Sequence, residues 1–118
     1  MPARQIDPSS LILLTSDGMG RGPDELRRKL LSTFLQLLDE NGMRPGAICF
    51  YTDAVKLALE GSPVLEQLRR LESEGVRLIL CKTCLDYFGV AEQVAVGVVG
   101  GMGDIISAMA LAEKVITL

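Results

Sequence analysis

The chain has 118 residues, a length at which one hydrophobic core closes without staples, so a single domain is expected over 1–118 with residues 1–9 as a lead-in. Apolar residues make up 48% and charged residues 23%, the balance of an oily globular domain whose leftover apolar surface is most simply covered by a copy of itself. The formal net charge of −3, with basic residues scattered among acids as in "DELRRKLL", argues against a nucleic-acid partner.

The opening "MPARQIDPSS" lacks the apolar stretch of a signal peptide, which places the three cysteines in a reducing cytoplasm where structural disulfides are not expected. Leu11 to Leu14 is a fully apolar run, read as a buried parallel strand, and the glycine-rich "TSDGMGRG" follows it. From Pro23 to Asn41 the residues Leu26, Leu30, Phe34 and Leu38 recur every four positions, with Leu31 and Leu35 widening the stripe of an amphipathic helix. Pro23 suits its first turn and Gly42 its left-handed end.

"AICFY" (47–51) reads as a second strand, and "DAVKLALE" as a short helix closed by Gly61. A further helix begins at Ser62 and Pro63, with Val64, Leu65, Leu68 and Leu71 as its stripe, and "VRLIL" is the third strand. "VAVGVV" (94–99) is expected as the fourth strand, "GDIISAMALAEK" as a helix with almost no polar face, and "VITL" as a fifth strand. Val94 to Ala112 carries one charge, Asp104, and is nearly long enough to span a bilayer. Gly100, Gly101 and Gly103 interrupt it, so no membrane span is expected. Apolar strands alternating with helices predict a three-layer α/β/α sandwich on a mostly parallel five-stranded sheet.

In such sheets the chemistry sits beyond the carboxyl ends of the strands. The loops there hold Asp17, Thr52, Asp53, Cys81, Cys84 and Gly100, which on a parallel sheet share one edge and would contribute to one crevice, with Gly18, Lys82 and Gly101 beside them as supporting residues. Cys81 closes the third strand, and Cys84 falls in the first turn of the next helix, where free N–H groups, a dipole and Lys82 favour a thiolate. A thiolate can attack a sulfur donor and carry an extra sulfur as a persulfide, which needs no histidine. Cys49, inside a strand, reads as core.

Other readings of the pair have less support. Zinc would need more ligands than two cysteines and no histidine supply. A thioredoxin-type dithiol fits the spacing but belongs to mixed sheets. A small-ligand module is a third possibility, with the cysteines incidental. "DGMGRG" matches neither dinucleotide nor P-loop spacing, and Asp17 would repel a phosphate, so it reads as a tight turn and no cofactor is expected.

The segments "SDGMGRGPDELRRKLLSTFL", "VKLALEGSPVLEQLRRLESEGV", "CKTCLDYFG" and "VAVGVVGGMGDI" resemble, in order and spacing, the DsrE-like domain of YedF-type sulfurtransferase-like proteins, a group linked in part to selenium metabolism. The resemblance implies homo-oligomers, sulfur donor and acceptor proteins as partners, and a strand-end cysteine bearing the persulfide. A glycine follows that cysteine by eight residues in the family, as Gly89 follows Cys81, so the role is carried to Cys81 with Cys84 assisting. Lys82 stands where the pattern usually has glycine, Gly101 to Asp104 replace Asn-Met-Tyr-Glu, and Thr52, Asp53 and Ala54 replace an Asn-Ser-Gly turn. Complete YedF-type proteins also carry a TusA-like domain with a Cys-Pro motif. These 118 residues do not contain it, so a separate donor is expected to supply that function.

Overall fold

The computed structural model describes residues 5–118, so residues 1–4 of the expected lead-in lie outside the described residues. The elements in chain order are β1 (Ser10–Leu14), α1 (Asp24–Glu40), β2 (Ala47–Phe50), a 3₁₀ segment (Thr52–Ala58), α2 (Leu65–Ser73) and β3 (Arg77–Cys81). They continue with α3 (Lys82–Phe88), a 3₁₀ turn (Ala91–Gln93), β4 (Val98–Gly100), α4 (Met102–Leu111) and β5 (Lys114–Thr117).

The sheet is five-stranded and all parallel, in the order β4-β3-β2-β1-β5. The first three crossovers each advance by one strand in the same direction, so right-handed connections put α1, α2 and α3 on one face. From β4 the chain returns across the sheet to β5, which sends α4 to the other face. The result is the expected α/β/α sandwich.

Register and alternation aim Ile12, Leu14, Ile48, Phe50, Leu78 and Leu80 at the three-helix layer. Leu11, Leu13, Cys49, Ile79 and Cys81 point at α4, and all of these residues are buried. Burial on both faces explains why the central strands read as unbroken apolar runs. A five-stranded sheet is roughly 19 Å across its outer strands, while one helix covers about 10 Å. The α4 layer is therefore incomplete, leaving Val98, Met102, Ile106, Leu111 and Val115 exposed.

Several boundaries and one helix phase differ from the sequence reading. In α1 the buried stripe is Leu31, Leu35 and Leu38, while Leu26, Leu30 and Leu37 are about half exposed. Six leucines and a phenylalanine fill more than one face of this helix, so periodicity alone does not select which face packs inward. "DAVKLALE" forms a 3₁₀ segment rather than an α-helix, and α2 begins at Leu65, after Pro63 and the non-helical Val64. β4 is shorter and later than expected. Val94 makes an isolated antiparallel bridge to Leu59, and Gly97 turns the chain at φ +85° before Val98 joins the sheet. The apolar stretch 94–112 is thus broken into separate elements, and no helix among the described residues is long and apolar enough to cross a membrane.

Gly97 cannot be replaced cheaply, because a Cβ there would lie 2.9 Å from the Leu78 carbonyl oxygen on a left-handed backbone. Gly97→Ala is expected to cost about 2 to 4 kcal/mol in urea unfolding. Gly42→Ala, also left-handed but in open space, should cost only about 1 kcal/mol.

Candidate functional site

Along the carboxyl edge the loops follow the strand order, so the cysteine loop after β3 lies between the Thr52 loop after β2 and the Gly101 loop after β4. Between β3 and β4 the chain departs to opposite faces, into α3 and into α4, and this divergence is the place where open parallel sheets form a crevice at the strand ends. Cys81 and Gly100 are register partners on its two sides. Gly100 is required by contact rather than by dihedral angle: a Cβ would fall 2.9 Å from Ile79 Cγ2 and 3.1 Å from Asp104 Oδ2. Gly101, at the start of α4, donates its N–H to Asp104 Oδ2 at 2.9 Å.

Cys81 is the N-cap residue of α3 and is only 1% exposed. Cys84, one turn into the helix, is partly buried and accepts the backbone N–H of Thr52 on its sulfur at 3.0 Å. The Cys81 thiol lies near that of Cys84. Burial pushes the Cys84 thiol up, the Thr52 N–H pulls it partly back, and the Cys81 thiol pushes it up again. The site therefore holds Cys84 as a thiol more firmly than the expectation of a favoured thiolate allows. Two features explain the difference. α3 has only seven residues and hence a weak dipole, and Lys82 turns outward to Asp86, Nζ to Oδ2 2.6 Å, on the exposed surface.

Thr52 has φ +54°. Its hydroxyl is hydrogen-bonded to the Thr15 carbonyl at the end of β1 and lies 2.6 Å from the Tyr51 carbonyl. The Thr15 hydroxyl in turn donates to the Leu118 carbonyl at 3.1 Å. Nothing in the sequence signals this turn, because a β-branched residue is among the least expected at positive φ. Asp53 is engaged along its own segment. It pairs with Lys56 at 2.9 Å, and the Lys56 ammonium lies 4.3 Å above the Phe88 ring, tying the 3₁₀ segment to the end of α3.

Asp17 and Gly18 belong elsewhere. Asp17 is bridged by Arg27 at 3.2 Å and Arg28 at 2.9 Å. Burial works to raise its carboxyl pKa, and the two guanidiniums outweigh that and hold it below the usual carboxylate value. Gly18 lies against Arg27, where a Cβ would come within 2.7 Å of the arginine Cβ, and Met19 N–H donates to the Arg27 carbonyl at 3.0 Å. The glycine loop is thus a turn clamped onto α1. Asp17 and Arg28 line a groove of about 400 Å³ with Lys56, Glu60 and Gln93, and no cysteine lines it. The single crevice expected from sequence is in fact two places, with Cys81, Cys84, Thr52 and Gly101 at one and Asp17 at the other. Among the described residues no group of three His, Cys, Asp or Glu gathers as metal ligands.

The family model described as DsrE/DsrF-like matches residues 19–118. The chain belongs to the DsrE/DsrF-like family. Solved structures agree on the fold. The ychN protein from E. coli is 24% identical, with 92% of this chain and 99% of that one covered at a TM-score of 0.66. Protein MTH1491 of unknown function, from Methanobacterium thermoautotrophicum, is 21% identical over 92% of this chain and 97% of that one, with a TM-score of 0.68. BT1422 from Bacteroides thetaiotaomicron, also of unknown function, is 18% identical over 93% and 95%, with a TM-score of 0.66. No curated protein matches the chain. The DsrE/DsrF-like sheet and its return crossover are what bring the two thiols to the β3–β4 crevice.

Cys49, buried in β2, has its thiol pushed up to about 11, with burial the main cause and Arg77 acting weakly against it. The folded state keeps this proton after the unfolded chain has lost it. Stability is therefore unaffected at neutral pH and falls as pH rises from the ordinary thiol value toward about 11, by roughly 2 to 3 kcal/mol in all. Urea unfolding of Cys49→Ala between these limits is expected to show a shallower decline than the wild type.

Proposed function

We propose that this domain carries sulfane sulfur on the Cys81–Cys84 pair, a specific form of the sulfur relay with which the family is associated. The observation that supports it best is the nearness of two thiols at the carboxyl end of β3, one partly exposed and the other enclosed. The "CKTCLDYFG" string and its flanking segments support a YedF-type domain, and the partners are a donor and an acceptor protein in the cytoplasm.

The mechanism is exchange at sulfur. Cys84, the more accessible thiol, loses its proton and attacks the outer sulfur of a donor persulfide. The donor S–S bond breaks, a new S–S bond forms on Cys84, and the donor leaves as a thiolate that takes up a proton. No external oxidant is needed. Cys81 then attacks the outer sulfur in the same way and stores it in the enclosed position, with Cys84 restored as a thiol. An acceptor nucleophile reverses the sequence.

Incubation with a cysteine desulfurase and cysteine, followed by intact mass, tests this. The wild type is expected to gain one sulfur, Cys84→Ser to load at least about tenfold more slowly, and the double Cys81→Ser, Cys84→Ser variant to gain none. No gain in the wild type, under conditions that load a known carrier, would sink the reading. The nearness of the two thiols also suits a second reading, a dithiol redox module. In that case mild oxidation removes two hydrogens from the wild type, and either single variant abolishes function.

We further infer that the partner covering the exposed apolar rows is another copy of this chain. Val98, Met102, Ile106 and Val115 lie on the under-covered α4 side, and Leu26, Leu30 and Leu37 along α1. Rows of this kind on a small domain are normally covered. Light scattering is expected to give a multiple of the chain mass, reduced by Ile106→Glu or Leu30→Glu. A monomeric wild type at micromolar concentration would contradict it.

A further inference from the structure

Thr52 is the sole residue other than glycine with positive φ among the described residues. Its branched Cβ makes the left-handed region unfavourable, so something must hold it there. The hydroxyl is placed to do so, between the carbonyl oxygens of Thr15 on the neighbouring strand end and of Tyr51. The outcome of this conformation is the direction of one bond: the Thr52 N–H points at the Cys84 sulfur, 3.0 Å away. Lys82 is turned away and α3 is short, which leaves this N–H as the donor the structure shows on that sulfur.

We infer that Thr52 is a positioning residue, whose hydroxyl clamp to the end of β1 holds a left-handed turn that aims its backbone N–H at negative charge on Cys84. The charge is the attacking thiolate in either cysteine chemistry. The persulfide anion follows only on the carrier reading proposed above. A fixed N–H at a site of developing charge acts as an oxyanion hole does, because the donor is oriented before the charge appears. It also accounts for threonine where glycine or asparagine would adopt the turn with less strain. The strain is tied to a hydroxyl contact that neither of those residues can make in the same way.

Alkylation of Cys84 with iodoacetamide from about pH 6 to about pH 11, localised by peptide mass spectrometry, tests this without a sulfur donor. Thr52→Val and Thr52→Ala remove the hydroxyl, and Thr52→Ser keeps it. The midpoint is expected to rise by about one pH unit in the first two, an about tenfold loss of thiolate at neutral pH, and to stay at the wild-type value in Thr52→Ser. Alanine, with less bulk than valine, secures the comparison if Thr52→Val does not fold, and thermal melts identify folded variants. Wild-type midpoints in a folded Thr52→Ala or Thr52→Val overturn the inference. A shifted midpoint in a protein that never gains sulfur removes the carrier reading and leaves the turn in place. A loaded wild type with unshifted variants does the reverse.

Discussion

A parallel sheet that advances from β1 to β4 one strand at a time, and then returns to β5, has one neighbouring pair of strands whose outgoing chains diverge. That pair is β3 and β4. Right-handed connection sends α3 to one face and α4 to the other, so the backbone itself opens a gap that no side chain has to create. Gly100 then lets the start of α4 approach Ile79, and Cys81, its register partner, closes the other wall. The position of the thiols follows from strand order before any chemistry is considered.

The chemistry is a competition between burial and hydrogen bonding. Enclosure of the pair raises the cost of a charge on Cys84, and a second thiol nearby adds to it. Against these stands the Thr52 N–H. A pair arranged in this way is suited to holding sulfur as much as to attacking with it, because an enclosed sulfur meets less solvent and fewer adventitious thiols. The charged groups nearby serve the scaffold instead. Lys82 spans one turn to Asp86, Lys56 bridges Asp53 and Phe88, and Asp17 is held by two arginines.

The buried strands were legible because burial on both faces leaves a plain apolar run, and the end of the third strand at Cys81 could be placed to the residue. The phase of α1 was not, since a helix with leucines on several faces has no unique inward stripe. Sequence proximity also misled at Lys82, which is next to Cys81 along the chain but faces the solvent, and at Asp17, which shares the edge but not the crevice. Thr52 was noted for its place in a loop. Its part in the site depends on a contact with Thr15, 37 residues away, and a local reading cannot contain that contact.

The exposed apolar surface and the cysteine crevice are not independent. α4 begins at Gly101, beside the crevice, and Met102 and Ile106 on its first turns belong to the uncovered row. Val98 lies two residues before Gly100 on the same edge strand. A second copy seated on this row would also wall the mouth of the crevice from the α4 side, adding enclosure to a pair whose reactivity is already set by enclosure. Self-association and sulfur chemistry would then be coupled through α4. Further burial raises the thiol pKa, and the fixed N–H of Thr52 becomes worth more as water is excluded around it.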